Sequence, residues 1–113
     1  MAGEGNSISA RAASVLGGSA NVASGQYASV GGGYSNLSSG TNSAIAGGCE
    51  NTASNFYAAV SGGRFGLASG QWSSVTGGYT NKATALYAAV SGGSTHTANA
   101  QYNWKAGSLS EAQ

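Results

Sequence analysis

Few residues of this chain could take part in acid–base, nucleophilic or metal chemistry. The 113 residues contain no Asp, three Glu, one His and one Cys. These five groups are Glu4, Glu50, Glu111, His96 and Cys49. A catalytic carboxylate pair, a Ser-His-Asp triad or a metal centre of three or four ligands would have to be assembled from them alone. The sequence therefore predicts a protein that is not an enzyme, with no catalytic residue, no cofactor and no metal site.

The charge balance argues against two classes of partner. Four basic and three acidic groups give a net charge of +1, which provides no extended field for attracting DNA or RNA. No apolar run approaches the roughly 20 residues that span a bilayer, and no segment has the pattern of a signal peptide. We therefore expect no nucleic-acid binding and no membrane insertion by this segment, and we expect any export or anchoring signal to lie on sequence outside it.

The chain is organised by a 15-residue repeat. Six Gly-Gly pairs stand at residues 17–18, 32–33, 47–48, 62–63, 77–78 and 92–93. Two residues before each pair is a branched apolar residue, and these are Val15, Val30, Ile45, Val60, Val75 and Val90. Two residues earlier again stands Ala or Ser. A spacing of two is the period of a β-strand, so these positions predict a thin core of small and branched side chains.

A second strand follows each Gly-Gly corner. Its phase is marked by Asn21, Asn36, Asn51 and Asn81, with Ala or Ser two residues later. A further corner follows at Gly25, Gly40 and Gly70, and we expect Gly and Asn at corners because both tolerate positive φ. Each unit is then one coil of a parallel β-solenoid, so the fold class is all-β with about six to seven coils.

We place the domain boundary near the end of the repeat. The repeat domain covers residues 1–103, and residues 104–113 are predicted to be a terminal cap or exit segment. Lys105 takes the position of Val90, where a charged side chain cannot continue a buried row. In a stack with a rise of about 4.8 Å per coil, Cys49 and His96 would be ~14 Å apart, too far to act as nucleophile and base.

One column of aromatic residues has the phase of the other face of the first strand. Its members are Tyr27, Tyr57, Trp72, Tyr87 and Tyr102, interrupted by Asn42. We call these five aromatic residues the aromatic stripe. Rings are the largest source of buried area in so thin a solenoid, which favours subunit packing or stacking within the chain. The alternative is a ligand platform, for example for sugar rings.

The repeats resemble a known family. "GQYASVGGGYSNLSSGTNSAIAGG" and "NTASNFYAAVSGGRFGLASGQWSSVTGG" are similar to the head repeats of trimeric autotransporter adhesins of the YadA type, a module also found in phage tail fibres. The resemblance implies a left-handed parallel β-roll and a homotrimer of rolls packed side by side. It also implies an extracellular location, on a bacterial surface or a phage virion. The usual unit of that family has about 14 residues, whereas this chain keeps 15.

The expected function is therefore a non-catalytic structural or adhesive module. A trimeric head or fibre segment would present a surface to cells, glycans or another fibre protein. One alternative is an ice-binding β-solenoid, suggested by a flat parallel array and by Ser14, Ser29 and Ser74 beside the Val row. The other is a filament subunit, because open solenoid ends can stack end to end.

Overall fold

Fifteen short strands form two sheets that face each other across a thin core. The computed structural model describes residues 3–106 and 109–111, and none of these residues is helical. The strands are β1 (Ser7–Ile8), β2 (Ser14–Val15), β3 (Val22–Ala23), β4 (Ser29–Val30), β5 (Leu37–Ser38), β6 (Ala44–Ile45), β7 (Thr52–Ala53), β8 (Ala59–Val60), β9 (Leu67–Ala68), β10 (Ser74–Val75), β11 (Lys82–Ala83), β12 (Ala89–Gly92), β13 (Thr97–Ala98), β14 (Trp104–Ala106) and β15 (Leu109–Glu111). The predicted all-β parallel solenoid is confirmed, with about seven coils of 15 residues.

The two sheets are built from alternate strands. One runs in the order β1-β3-β5-β7-β9-β11-β13, and the other β15-β14-β12-β10-β8-β6-β4-β2. Every pairing between coils is parallel and offset by 15 residues, except that a register shift in β12 pairs Gly92 with Ala106. The last strand, β15, lies antiparallel to β14. The predicted cap segment thus supplies both β14 and β15. Its role as a cap stays a prediction, and residues 107–108 and 112–113 lie outside the described residues.

Small side chains fill the space between the sheets. The six branched residues Val15, Val30, Ile45, Val60, Val75 and Val90 are 0–1% exposed and stack in register from coil to coil. Ala residues from both sheets complete the cluster. Three buried Ser residues, Ser38, Ser43 and Ser73, take the place of Ala. The hydroxyls of Ser43 and Ser73 donate to main-chain carbonyls of their turns, and the hydroxyls of Ser38 and Ser43 lie 2.6 Å apart. Close-packed small groups allow the sheets to approach closely, and the Cα atoms span only 12 Å in the thinnest direction.

A ladder of buried Asn side chains ties each coil to the next. The Nδ2 group of Asn36 donates to the carbonyls of Gly32, in its own coil, and Gly48, in the following coil, at 3.0 Å each. Its Oδ1 accepts from the main-chain N–H of Asn51 at 3.0 Å. Asn21 and Asn51 repeat the pattern, so one amide joins two corners and one strand of its neighbour. We call this arrangement the Asn ladder.

The Asn ladder corrects one expectation from the sequence. The Asn residues at 21, 36, 51 and 81 are fully buried and have negative φ, so they are not corner residues that exploit positive φ. A buried amide that satisfies its donor and acceptor groups is stabilising, whereas leaving them unpaired would cost about 1–3 kcal/mol for each group. Asn is retained here for its hydrogen bonds rather than for its backbone freedom.

The Gly-Gly corner needs glycine at its second position. Gly18 and Gly33 have φ of +83° and +92°, and a Cβ on Gly33 would overlap the Gly48 carbonyl oxygen of the next coil. The first glycine of each pair has open space around it. The second position is therefore the one at which any side chain would force the coils apart.

The other corner differs from its expected form. Gly25, Gly40 and Gly70 begin β-turns, as the bond from Ala28 N–H to the Gly25 carbonyl at 3.0 Å illustrates, but their φ is not positive. Positive φ occurs two residues later, at the position occupied by the aromatic stripe. The expectation that the stripe lies on the strand is therefore wrong, because these residues precede the strand and occupy the turn.

The structure predicts that Gly66→Asn will stabilise the protein. Gly66 interrupts the Asn ladder and provides no side-chain amide. In this coil the amide partner is therefore missing for the carbonyls of Gly62 and Gly78 and for the main-chain N–H of Asn81. Restoring these bonds is expected to raise the free energy of unfolding by about 1–2 kcal/mol. Urea titration followed by circular dichroism measures the change.

Gly66→Ala is the matched control for this substitution. A Cβ at this site would meet Asn51 Oδ1 at 3.0 Å and two Val methyl groups at 3.4 Å. The Ala variant therefore reports the cost of the added carbon without the amide. If the Asn variant were no more stable than the Ala variant, the hydrogen-bond account of the ladder would be wrong.

Candidate binding surfaces

The aromatic stripe lies along one edge of the solenoid, at the third residue of the β-turn. Tyr27, Tyr57, Trp72, Tyr87 and Tyr102 have φ between 57° and 62° and are 45–52% exposed. Negative φ at the second turn residue and positive φ at the third is the pattern of a type II turn, which usually has Gly at the third position. A bulky residue there is strained by roughly 1–2 kcal/mol, so the surrounding structure must impose the conformation.

Hydrogen bonds between coils fix this turn. The main-chain N–H groups of strand residues donate hydrogen bonds to the following coil, as Ser74 N–H does to the Ala88 carbonyl. The main-chain N–H groups of the stripe residues donate to the preceding coil instead. The Tyr87 N–H bonds the Gln71 carbonyl of the preceding coil at 3.0 Å. Positive φ is what turns the amide to face the preceding coil. Each ring therefore leaves the backbone from an equivalent point, and the rings form a column.

Four of the five rings stack on one another. Tyr57 and Trp72 have centroids 4.2 Å apart with planes 9° from parallel, and Tyr87 and Tyr102 are 5.2 Å apart at 3°. Trp72 and Tyr87 are farther apart, at 6.4 Å and 19°. The interior rings therefore direct their faces at each other and their edges to solvent. The column presents few free faces, which is a different surface from an open platform of rings.

Asn42 separates Tyr27 from the four stacked rings. It has the same turn conformation, with φ of 59°, and is exposed. Asn adopts positive φ at lower cost than aromatic residues do. Tyr27 makes no ring contact within residues 3–106, and the face of Tyr57 opposite Trp72 has no ring against it. The interruption therefore leaves ring faces accessible on both of its sides.

A smaller aromatic group lies beyond the Gly-Gly corners. Tyr34 and Tyr79 are about half exposed, and Phe65 packs edge-on against Tyr79 with centroids 5.8 Å apart. The Arg64 guanidinium lies 4.7 Å from the Phe65 ring centre, within range of a cation–π contact. This group is discontinuous because small, polar or charged residues occupy the same columns in other coils.

Sequence reasoning missed a column of hydroxyls on the outer face of the β1–β13 sheet. Its members are Ser9, Ser24, Ser39, Ser54, Ser69 and Thr84, and none of their side chains has a hydrogen-bond partner in the described chain. We call these residues the hydroxyl column. The signal was present in the sequence, since Ser or Thr recurs at this phase in six successive units.

The rows that suggested ice binding lie on the opposite sheet, where Ser14 and Ser29 line a shallow groove of about 290 Å³ beside Leu16.

The few titratable groups are dispersed. Cys49 Sγ lies 3.9 Å from a Glu50 carboxylate oxygen, and the His96 main-chain N–H ends the Asn ladder by donating to Asn81 Oδ1 at 3.0 Å. Within the described residues, no three His, Cys, Asp or Glu side chains come close enough to hold a metal ion. No helix long and apolar enough to cross a membrane occurs in the part of the chain that the structure describes.

Comparisons with known proteins assign neither a family nor a function to this chain. No protein-family model matches the chain, and no curated protein matches it significantly. The two surface columns and the fold that aligns them are therefore the features that bear on function.

The positive φ of this turn predicts different stabilities for two substitutions of Trp72. Trp72→Ala and Trp72→Asn both remove ring stacking on two neighbours, worth about 0.5–1.5 kcal/mol for each well-formed pair. Only Asn is suited to positive φ, so the Asn variant is expected to be more stable than the Ala variant by roughly 1 kcal/mol. Denaturant titration of both variants measures the difference, and equal stabilities would mean that this turn stores no backbone strain.

Proposed function

We propose that this solenoid is a non-catalytic structural and adhesive module, a left-handed β-roll that associates side by side as a homotrimer. The observation that carries the proposal is the exposed aromatic stripe. Five large rings remain about half exposed on a chain whose core holds no side chain larger than Ile. Four of these rings form one continuous stack, and exposed apolar surface of this kind marks an interaction site.

The thin core also favours association. The slab formed by the two sheets measures 39 × 22 Å between Cα atoms, comparable to the roughly 800 Å² that each partner buries in a standard interface. The β2–β14 sheet carries small outward residues, among them Ser29, Ala44 and Ala59, so a second backbone could approach closely. Burial between chains would add the apolar contact that each chain lacks alone.

The location follows from the same proposal. The sequence units resemble YadA-type head repeats, and the 15-residue parallel coils are compatible with a roll of that kind. We therefore propose an extracellular module of a bacterial surface or a phage virion, which attaches to cells, glycans or another fibre protein. Trimer formation and attachment are separate elements of the proposal, and they are tested separately.

The oligomer prediction is tested by sedimentation. At micromolar concentrations the purified chain is expected to sediment with three times the mass of one 10.9 kDa chain. Its frictional ratio should be that of a compact particle, because side-by-side packing does not lengthen a solenoid whose Cα atoms span 39 Å. Electron microscopy of the same sample should show discrete particles. A compact monomer would refute the trimer, and long fibres would favour the filament subunit instead.

A second function, ice binding, is favoured by the hydroxyl column. Its six hydroxyls repeat once per coil, about 4.8 Å apart, along a parallel sheet. The adjoining outward column is less regular, since it holds Leu37, Thr52, Leu67 and Lys82. This unevenness makes ice binding the second candidate rather than the first.

Ice binding predicts thermal hysteresis that depends on this column. If ice were the target, Ser54→Tyr would disrupt the middle of the hydroxyl column and abolish hysteresis. Ser61→Tyr, on the opposite sheet, would leave it unchanged and is the matched control. Measurement of ice-crystal growth in a nanolitre osmometer decides the question, and an absence of hysteresis in the unmodified protein would eliminate this function.

A further inference from the structure

We propose that the interruption of the aromatic stripe at Asn42 is a binding slot for one neutral pyranose ring. The slot is bounded by Tyr27 on one side and Tyr57 on the other, with Asn42 at its base. The inference rests on the attachment element of the proposed function and names its ligand class. It does not depend on the trimer, provided that this edge of the solenoid is accessible.

The spacing between the two Tyr residues follows from the coil geometry. Tyr27 and Tyr57 occupy the same turn position two coils apart, with φ of 60° and 57°. At about 4.8 Å per coil their turn positions are roughly 9.6 Å apart. Tyr57 is held from its other side by Trp72, at 4.2 Å, so one wall of the slot is supported by the stack above it.

This spacing suits a puckered, saturated ring. Two ring contacts at about 3.5–4.0 Å account for 7–8 Å of the roughly 9.6 Å, and the puckered ring with its substituents occupies part of the remaining space. The C–H groups on the faces of a pyranose carry slight positive charge, which complements the negative face of an aromatic ring. A flat aromatic guest would fill the slot less well, because it needs only about 7 Å between the walls.

The polar groups around the slot match the hydroxyl rim of a sugar. The side chains of Asn42, Thr41 and Gln26 have no hydrogen-bond partner in the described chain. The amides and the hydroxyl together offer donors and acceptors in a neutral surrounding. A ring that buries its faces and directs hydroxyls to these groups would satisfy both kinds of surface, which an aromatic guest could not do.

No comparable space exists within the stacked part of the stripe. The widest separation there is 6.4 Å, between Trp72 and Tyr87, and it is narrower than the roughly 7 Å that even a flat guest requires. The position that admits a ligand is thus the one where a short side chain replaces a ring.

The test uses the whole chain and a panel of methyl hexopyranosides as probes. Saturation-transfer NMR on the unmodified protein is expected to detect binding with a Kd on the order of 1 mM, as suits a monosaccharide. Asn42→Tyr fills the slot with a ring and is expected to weaken binding at least tenfold. Asn42→Ala keeps the space and removes the amide, so its affinity should lie between those of the other two proteins.

A gain-of-function variant keeps the test informative. Tyr87→Asn places a second short side chain between Trp72 and Tyr102, leaves the Tyr57–Trp72 stack beside the slot intact and should add a second binding site, detected as a doubled stoichiometry by titration. Equal binding by the unmodified protein and Asn42→Tyr would overturn the slot, as would an absence of binding to any glycoside. Tighter binding of phenol than of the glycosides at the same residues would overturn the ligand class.

Sedimentation of the same samples separates this inference from the proposed function. A trimer that binds no glycoside would refute the slot and leave the proposed architecture standing. A monomer that binds glycosides and loses binding in Asn42→Tyr would support the slot and refute the trimer. Glycan binding that Asn42→Tyr leaves unchanged would support attachment but place the site elsewhere.

Discussion

The structure depends on one buried hydrogen-bonding group, the side-chain amide of the Asn ladder. Each amide joins a corner of its own coil, a corner of the next coil and the main-chain N–H at the equivalent position of the next coil. These three bonds can form together only if the corners and the Asn recur with the same spacing. The ladder therefore favours a 15-residue coil, and the parallel strand pairing maintains the same register in the coil where Gly66 interrupts the ladder. It also brings neighbouring corners so close that the second residue of each Gly-Gly pair cannot carry a side chain.

A constant coil length aligns the residues on the surface of the solenoid as well as those in its core. Because every coil is held in the same register, each outward position forms a column in which neighbours are about one strand spacing apart. The core admits only small residues, whereas the columns accept rings, hydroxyls, amides and charges without changing the fold. The same constraint explains how aromatic residues tolerate positive φ, because hydrogen bonds to the preceding coil hold their turn in place.

The sequence was sufficient to predict the fold and insufficient for the details of the surface. The Gly-Gly pairs and the branched residues two positions before them established the period, the strands and the core, and the structure agrees on the coil architecture. A period of two cannot distinguish a strand residue from a turn residue just before the strand, so the aromatic stripe was placed on the wrong element. The role of Asn36 and its equivalents was missed for a similar reason, since Asn is common at corners and its burial is visible only in three dimensions. Their strict phase was the available signal, because a residue chosen only for positive φ would alternate more freely with Gly.

The column geometry also determines where such a solenoid can bind a small ligand. When rings follow each other in successive coils, their spacing is close to that of a direct stack, so their faces cover one another and little free face remains. Lengthening a continuous stripe therefore adds contact area along its edge without adding a site for a ring-shaped guest. A single short residue doubles the spacing and exposes two faces at once. Recognition of a ring on this surface is then controlled by the interruptions in the aromatic column, and the residue that interrupts it contributes the polar contacts at the base of the site.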